Sequence, residues 1–380
     1  MSGERAEAIG RRPEEPEAFS IDVEEAVLVD LRRRLRETRW PAQPPGEGWG
    51  LGADVGYVRE LCDHWAERYD WREFEGRLNE LPGFRWRGIH FWHLRSEGRG
   101  LPVVLIHGWP GGPIEFLELI PLLLAAGHDV IVPSLPGYAF SEDPGAVLNV
   151  AAVAARLREL VEEGIGVERY AVQGGDWGAP IAARMAFDSP QTATALHINA
   201  VSVLPVPGNL ERPPLSEAER DYIQRGLRYR TGEGFHLVLQ SAAPDAVAVA
   251  FNDSPAGLAA WLVEKFRRWS DCGGEVERRF SKDDLCGFLT MYWATGTIAS
   301  SMRLYLGERR ERWRLGPTER IEVPCGVADF PREIIRAPRE WGERFLEIRR
   351  WTELERGGHF AALEEPELLA GDVIAFLGEI

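Results

Sequence analysis

An aspartate stands where a tight strand-to-helix turn would present a nucleophile. The segment Gly174-Gly-Asp-Trp-Gly178 has a glycine two residues before and two residues after Asp176. Flanking glycines are typical of a strained turn, because close strand and helix neighbours leave no room for a Cβ. An aspartate that only caps the following helix is the alternative interpretation. A carboxylate nucleophile forms an ester with a saturated carbon, and water can hydrolyse that ester. Epoxides and alkyl halides are therefore the predicted electrophiles.

A second glycine-rich turn could stabilise charge on that ester. His107-Gly-Trp-Pro-Gly-Gly112 follows a short apolar strand, at the place where such enzymes provide one backbone donor of an oxyanion hole. The second donor comes from the residue after the nucleophile. This assigns the backbone amides of Trp109 and Trp177 to the oxyanion hole. The alternative interpretation is a simple Gly-Pro turn with a packed tryptophan, which would have a similar sequence.

A histidine near the carboxyl terminus is placed to act as a base. Gly357-Gly-His359 follows the last predicted strand, and the chain order nucleophile, acid, histidine requires an acid before it. Glu333 fits that position, and Asp329 is its rival four residues earlier.

An epoxide also needs an acid for its leaving oxygen, and a phenol can donate without carrying charge. Tyr305 is a candidate for that role, or it is an ordinary core residue of an amphipathic helix.

Composition excludes several classes of function. Sixty acidic against 44 basic residues leave a net charge of −16, and no basic block offers a track for nucleic acid. The first residues have no apolar run after a basic start, and no apolar stretch is long enough for a membrane span, so we expect a cytoplasmic protein.

The four cysteines form no C-x-x-C pair, and we expect buried thiols, no metal and no organic cofactor. Only two of the basic residues are lysines, which is typical of a GC-rich bacterial genome.

The hydrophobic pattern predicts an α/β fold with a mostly parallel, doubly wound sheet. Apolar spacing at Val27, Leu28, Leu31 and Leu35 indicates a helical leader, and strands alternate with helices from Leu101 onward. Strand signals then disappear, and one long helix is predicted from Asp283 to Tyr305. The predicted division is a loose tail (1–17), a leader with the first strands (18–95), a first core part (96–202), a helical lid (203–318) and a second core part (319–380).

With these residues identified, the sequence resembles the microsomal-type and juvenile-hormone epoxide hydrolases and their bacterial relatives, which have the α/β-hydrolase fold. The resemblance covers 19–377. It depends on several motifs together: Thr38-Arg-Trp-Pro41, Asp70-Trp-Arg72, His107-Gly-Trp-Pro110, Gly175-Asp-Trp-Gly178, Asn252-Asp-Ser-Pro255, Phe330-Pro331 and Gly357-Gly-His-Phe360.

The resemblance implies a two-step mechanism. Asp176 would attack the epoxide, and water activated by His359, which Glu333 orients, would hydrolyse the ester. It favours Glu333 over Asp329 and makes Tyr305 one of two lid donors. The chain departs from the family at the other donor, since the expected tyrosine falls at His236, or at Phe235 if the register slips by one residue.

These observations predict an epoxide hydrolase that converts a bulky hydrophobic epoxide to a vicinal diol. Aromatic side chains such as Trp109, Trp177, Phe235 and Trp293, together with His236, are predicted to line its pocket. The first alternative is an epoxide-opening cyclase of natural-product biosynthesis, in which an internal nucleophile replaces water. Haloalkane dehalogenation and a non-enzymatic scaffold that binds an apolar ligand are further alternatives. The acidic surface and the leader are compatible with a homodimer without requiring one.

Overall fold

One sheet forms the centre of the protein. The computed structural model describes residues 15–201 and 213–380. The strands in these ranges are β1 (Glu17–Ala18), β2 (Gly83–Trp86), β3 (Ile89–Leu94), β4 (Gly100–Ile106), β5 (His128–Pro133), β6 (Tyr170–Gly174), β7 (Ala193–Ile198), β8 (Ile321–Asp329) and β9 (Leu346–Glu353). Their spatial order is β1-β2-β3-β5-β4-β6-β7-β8-β9.

The larger half of the sheet is parallel, which confirms the predicted fold class. Every pair from β5-β4 through β8-β9 is parallel, while β1, β2, β3 and β5 pair antiparallel. Parallel strands are covered by helices on both faces and therefore read as continuous apolar runs. The four residues from Val103 to Ile106 in β4 accordingly have no exposed surface.

The leader packs as three helices against the rest of the chain. In α1, Leu28, Leu31 and Leu35 are buried, as their spacing of three and four residues predicts. Residues 1–14 of the predicted tail lie outside the described residues. Glu17 and Ala18 already pair with β2, so ordered structure begins inside the predicted tail. The leader helices are α1 (Glu25–Arg36), α2 (Val55–Glu67) and α3 (Trp71–Asn79).

The sequence pattern predicts core helices from Ile114 to Ala125 and from Val150 to Glu163, and both are shorter in the structure. The first is divided into a 3-10 turn at Pro113–Phe116 and a separate helix, and the second changes to a π-helical turn at Leu160–Ile165. The core helices are α4 (Leu119–Ala125), α5 (Val150–Glu159), α6 (Gly178–Asp188), α13 (Arg339–Glu343), α14 (Ala361–Glu364) and α15 (Pro366–Leu377). All four cysteines are buried and unpaired.

Helices alone fill the described part of the predicted lid, whose first residues, 203–212, lie outside the described ranges. The lid helices are α7 (Glu217–Gly232), α8 (Phe235–Ala242), α9 (Pro244–Asp253), α10 (Pro255–Trp269), α11 (Lys282–Thr295) and α12 (Ile298–Arg310). The prediction of one helix from Asp283 to Tyr305 is wrong. Gly296, at φ 64°, adopts the left-handed conformation that ends α11, so Tyr305 lies on α12.

No single helix among the described residues is long and apolar enough to cross a membrane. Helices α9 and α10 reach that length together, but the chain bends by 118° between them.

Candidate active site

Asp176 lies on a bend that requires glycine on both sides. β6 ends at Gly174 and α6 begins at Gly178. Asp176 itself has φ 44°, a left-handed conformation that is strained for a residue with a Cβ. A Cβ on Gly178 would collide with the carbonyl oxygen of Ile106 in β4, and a Cβ on Gly174 would collide with Gly178. The predicted strained turn is therefore present, and it presents the aspartate instead of burying it as a helix cap.

The carboxylate of Asp176 is held by the second glycine-rich turn. The backbone N–H of Trp109 donates to Oδ1 at 2.7 Å. The turn can come this close because Gly108 has no side chain, since a Cβ there would collide with the Asp176 carboxylate. Trp177, the other predicted backbone donor, directly follows the nucleophile as the N-cap residue of α6. With Oδ1 engaged, Oδ2 remains the oxygen available to a substrate.

The imidazole of His359 lies between two carboxylates. Its Nε2 lies 3.3 Å from Oδ2 of Asp176, and its Nδ1 lies 2.8 and 3.1 Å from the two carboxylate oxygens of Glu333. The imidazole and the Glu333 carboxylate are nearly inaccessible to solvent, with 2% and 5% of their side-chain surface exposed. The backbone N–H of His359 donates to the carbonyl of Trp269, which fixes the loop against the lid. The structure thus brings together the three residues that the sequence placed far apart.

Asp329, the rival acid, is engaged elsewhere. It lies at the end of β8, and its two oxygens accept hydrogen bonds from the Arg336 guanidinium at 2.8 and 2.5 Å. Glu333 lies beyond the strand on the following loop, where its side chain reaches His359. The contact to the imidazole therefore comes from Glu333, as the resemblance to the family implies.

The charges around His359 favour its protonated form. Burial alone lowers the pKa of a histidine, but the negative charges of Glu333 and Asp176 outweigh burial here and raise the pKa of His359 well above its usual value. The charged imidazolium is therefore the favoured resting form, with Nδ1 hydrogen-bonded to Glu333 and Nε2 3.3 Å from Asp176 without a hydrogen bond. Any event that removes the charge of Asp176 lowers this pKa and turns His359 into a base.

Tyr305 and His236 approach the site from the lid. The Tyr305 ring meets the rings of Trp177 and Trp109 edge-on, at centroid distances of 4.8 and 5.9 Å. The His236 imidazole stacks on Trp109 at 5.8 Å and lies 6.0 Å from Tyr305. Burial raises the pKa of Tyr305 far above its usual value, and the Asp176 charge adds to this effect, so its hydroxyl keeps its proton. A neutral phenol and an imidazole therefore lie beside the rings that frame the nucleophile.

Two residues predicted for the pocket lie elsewhere. Phe235 is 43% exposed and packs against Trp261 on the outside of the lid. Trp293 lies near the end of α11, under the guanidinium of Arg34 from the leader. Neither lines the cavity beside the nucleophile. Helical periodicity identified both as packing residues but could not show which neighbour each one would face.

Sequence reasoning missed a carboxyl that lines this cavity. Glu115 faces the same small space as Asp176 and His359. Burial raises the pKa of Glu115 to about 8, and the nearby Asp176 charge contributes to the increase. A signal was present, because Glu115 is an acidic residue in the otherwise apolar segment Gly112–Leu117, directly after the glycine-rich turn. Tyr229 was missed as well, and it had no signal beyond its place in an amphipathic helix.

Across residues 15–201 and 213–380, no group of three or more histidine, cysteine, aspartate or glutamate side chains could hold a metal ion.

Comparison with known families covers the leader and the core. A family model described as epoxide hydrolase N terminus matches residues 16–116, and one described as alpha/beta hydrolase fold matches residues 102–229.

Relatives match over nearly the full length. A Stigmatella aurantiaca protein provisionally named an epoxide hydrolase is 38% identical over 93% of this chain and 83% of its own. Epoxide hydrolase 1 of Sus scrofa is 33% identical over 95% of this chain and 88% of its own. The crystal structure of juvenile hormone epoxide hydrolase from the silkworm Bombyx mori superposes with a TM-score of 0.84 at 31% identity, covering 96% of this chain and 94% of that one. The chain therefore belongs to the epoxide hydrolase family that includes these proteins, and it is a hydrolase acting on ether bonds.

Proposed function

We propose that this epoxide hydrolase opens a hydrophobic epoxide through a covalent ester on Asp176 and releases a vicinal diol. The observation that carries the proposal is the continuous contact from Glu333 through His359 to Asp176, at 2.8 and 3.3 Å. A nucleophile, a base and an orienting acid at hydrogen-bond distances have the geometry that covalent hydrolysis requires.

In the first step, Oδ2 of Asp176 attacks an epoxide carbon. Oδ1 is held at 2.7 Å by the Trp109 amide, so it becomes the carbonyl oxygen of the ester. As the carbon–oxygen bond of the ring breaks, the leaving oxygen gains negative charge and needs a proton. Tyr305 supplies it, because burial keeps its phenol protonated and its ring lies over Trp177 next to the nucleophile.

In the second step, water attacks the ester carbonyl. Esterification removes the negative charge of Asp176, and this charge is one of the two that hold the pKa of His359 high. The imidazole then gives up its proton, which restores the phenol of Tyr305, takes a proton from the attacking water and remains oriented by Glu333. Negative charge develops on Oδ1, where the amide of Trp109 already donates and that of Trp177 is placed to follow. The bond between the carbonyl carbon and the diol oxygen then breaks, and the diol oxygen takes the remaining proton from the Asp176 carboxyl, which becomes a carboxylate again.

The rings around the nucleophile favour an apolar, aromatic substrate. Trp269 and Tyr305 pack edge-on against Trp109, which lines the cavity beside Asp176, at centroid distances of 6.2 and 5.9 Å. Apolar walls with few polar groups bind hydrophobic ligands and exclude water other than the attacking molecule.

A single-turnover reaction in oxygen-18 water tests the proposal. With enzyme in excess over an aromatic epoxide, we expect the label to enter the carboxyl of Asp176, because water attacks the ester carbonyl and not the substrate carbon. Peptide mass spectrometry locates the label. In His359→Gln, the ester should accumulate and add the mass of the epoxide to the protein.

Asp176→Asn serves as the matched control and should form no adduct. Label in the diol without label in Asp176 would contradict the ester. An unlabelled cyclised product would instead support attack by an internal nucleophile.

A further inference from the structure

Two buried polar groups in the lid lack partners. The hydroxyl of Tyr229 and Nδ1 of His236 are both inaccessible to solvent, and neither has a hydrogen-bond partner within residues 15–201 and 213–380. A buried polar atom without a partner is costly, and nearly all such atoms in folded proteins are satisfied. His236 stacks on Trp109, whose backbone N–H donates to Asp176, and Tyr229 lies next to His236, which suggests a use in the reaction.

His236 occupies the sequence position at which the family resemblance places a second donor to the epoxide oxygen. Its ring stacks on Trp109, whose amide holds Asp176, and it meets Tyr305 edge-on at 6.0 Å. Nδ1 is buried without a hydrogen-bond partner, and the residue as a whole is 3% exposed. The missing partner is therefore needed at Nδ1, and we assign the other nitrogen, Nε2, to the substrate.

Tyr229 is fixed next to the protein-facing side of this imidazole. Its carbonyl accepts a hydrogen bond from the Gly234 N–H at 2.6 Å, and its ring packs on Gly234 at the start of α8. The rings of Tyr229 and His236 are 6.4 Å apart at 68°. The two rings are neighbours, but the Tyr229 hydroxyl and Nδ1 of His236 are not hydrogen-bonded to each other in this structure. A ring rotation that brings the two atoms together would satisfy both of them.

The His236 imidazole is neutral, so it has a single proton to place. Burial lowers the pKa of His236 to about 3, and the ammonium group of Lys265 lowers it further. In a neutral imidazole, the hydrogen bond made by one nitrogen decides which nitrogen carries the proton. A phenol that donates to Nδ1 places the proton on Nε2.

We propose that His236 donates a hydrogen bond from Nε2 to the epoxide oxygen alongside Tyr305, and that Tyr229 is the positioning residue that holds His236 in the Nε2–H tautomer. This inference rests on the proposed function. It explains how the chain opens epoxides although the second lid tyrosine expected from the family is absent. A lid phenol, that of Tyr229, then acts on the donor imidazole and not on the epoxide oxygen.

A double-mutant cycle on the alkylation step tests the pair. Rapid-quench measurement of ester formation on Asp176 should show a loss of about tenfold in Tyr229→Phe, the effect of one orienting hydrogen bond. In a His236→Gln background the same substitution should change the rate by less than about twofold, because the group that Tyr229 positions is gone. Tyr69→Phe is the matched control, since it also removes a buried, unpartnered hydroxyl but in the leader.

The tautomer itself provides a readout that a merely structural tyrosine would not change. In protein labelled with nitrogen-15 histidine, the His236 signals are those missing from His236→Gln. We expect Nε2–H in the wild type and a shift toward Nδ1–H in Tyr229→Phe.

Two results would overturn the inference. One is an unchanged tautomer together with an unchanged alkylation rate in Tyr229→Phe. The other is an equal loss in both backgrounds, which would make Tyr229 a direct donor. If the wild type forms no ester at all, the proposed function fails, while the tautomer measurement still decides whether Tyr229 and His236 are paired.

Discussion

Replacing Glu333 with glutamine removes one negative charge from His359 and keeps the shape of the side chain. The carboxylate lies 2.8 Å from Nδ1. Two unit charges about 4 Å apart interact by about 4 kcal/mol at an effective dielectric constant of about 20. The charge of Glu333 is therefore a major cause of the raised pKa of His359.

The two steps of the reaction should respond differently to this change. Once Asp176 is esterified, Glu333 is the remaining charge that sustains the basicity of the imidazole against burial. We expect Glu333→Gln to slow hydrolysis of the ester by about 10²- to 10³-fold, within the range of general-base catalysis. Formation of the ester does not need the base and should change by less than about threefold. The ester should therefore accumulate in the variant.

Rapid quench followed by intact-protein mass spectrometry measures both rates. Asp329→Asn is the matched control, because its carboxylate pairs with Arg336 at 2.8 and 2.5 Å and is not bonded to the imidazole. Its hydrolysis rate should stay within about threefold of the wild type. Rapid ester hydrolysis in Glu333→Gln, or equal slowing in the two variants, would refute this reasoning.

Four further predictions concern stability. Gly178→Ala should lower the free energy of unfolding by more than about 3 kcal/mol, because its Cβ collides with the backbone of Ile106. Gly371 is exposed on α15, and a Cβ added there would meet open space, so Gly371→Ala should raise the free energy of unfolding by about 0.5–1 kcal/mol. Similar urea midpoints for the two variants would contradict both expectations. Burial lowers the pKa of His90 to about 3, so the unfolded chain binds a proton at this residue below pH 6.5 and the folded protein does not. The free energy of unfolding should therefore fall by about 1.4 kcal/mol for each pH unit below 6.5, until the pH nears the folded pKa. Urea titrations between pH 7.5 and 5.5 should accordingly show a smaller loss in His90→Gln, and an unchanged slope would exclude this origin. Burial raises the pKa of Glu115 to about 8, so its protonation contributes fully to the free energy of unfolding below pH 4.5. This contribution is lost as the pH rises from 4.5 to 8, and the loss is at most about 5 kcal/mol. Glu115→Gln should therefore gain stability relative to the wild type between pH 5 and 9, and parallel stability curves would refute this.

Short motifs predicted much of the site because their chemistry is local. The glycines around Asp176 and in the turn at His107–Gly112 lie within a few residues of each other and form recognisable patterns, although the contacts that exclude a Cβ come from other segments, such as Ile106 against Gly178 and Asp176 against Gly108. The order of nucleophile, acid and histidine then selected His359 among eight histidines. These predictions needed no knowledge of which helices would pack together.

The lid was predicted less well because its features depend on contacts between distant segments. Periodicity identified helices but overlooked the left-handed Gly296, so two helices were predicted as one. It also could not orient Phe235, which faces outward, or Trp293, which packs under a leader arginine. The choice between Glu333 and Asp329 remained open from spacing alone, because the two acids are four residues apart at the end of the same strand and just beyond it.

By itself, the sequence determined the parallel sheet, the nucleophile turn and the class of chemistry, since each follows from neighbouring residues and their periodicity. Only the tertiary structure decided that Arg336 engages Asp329, that Glu115 faces the nucleophile and that Tyr229 lies behind His236. Those facts depend on how side chains from separate elements share a small, poorly solvated space. Burial and charge act across that space whatever the distance along the chain.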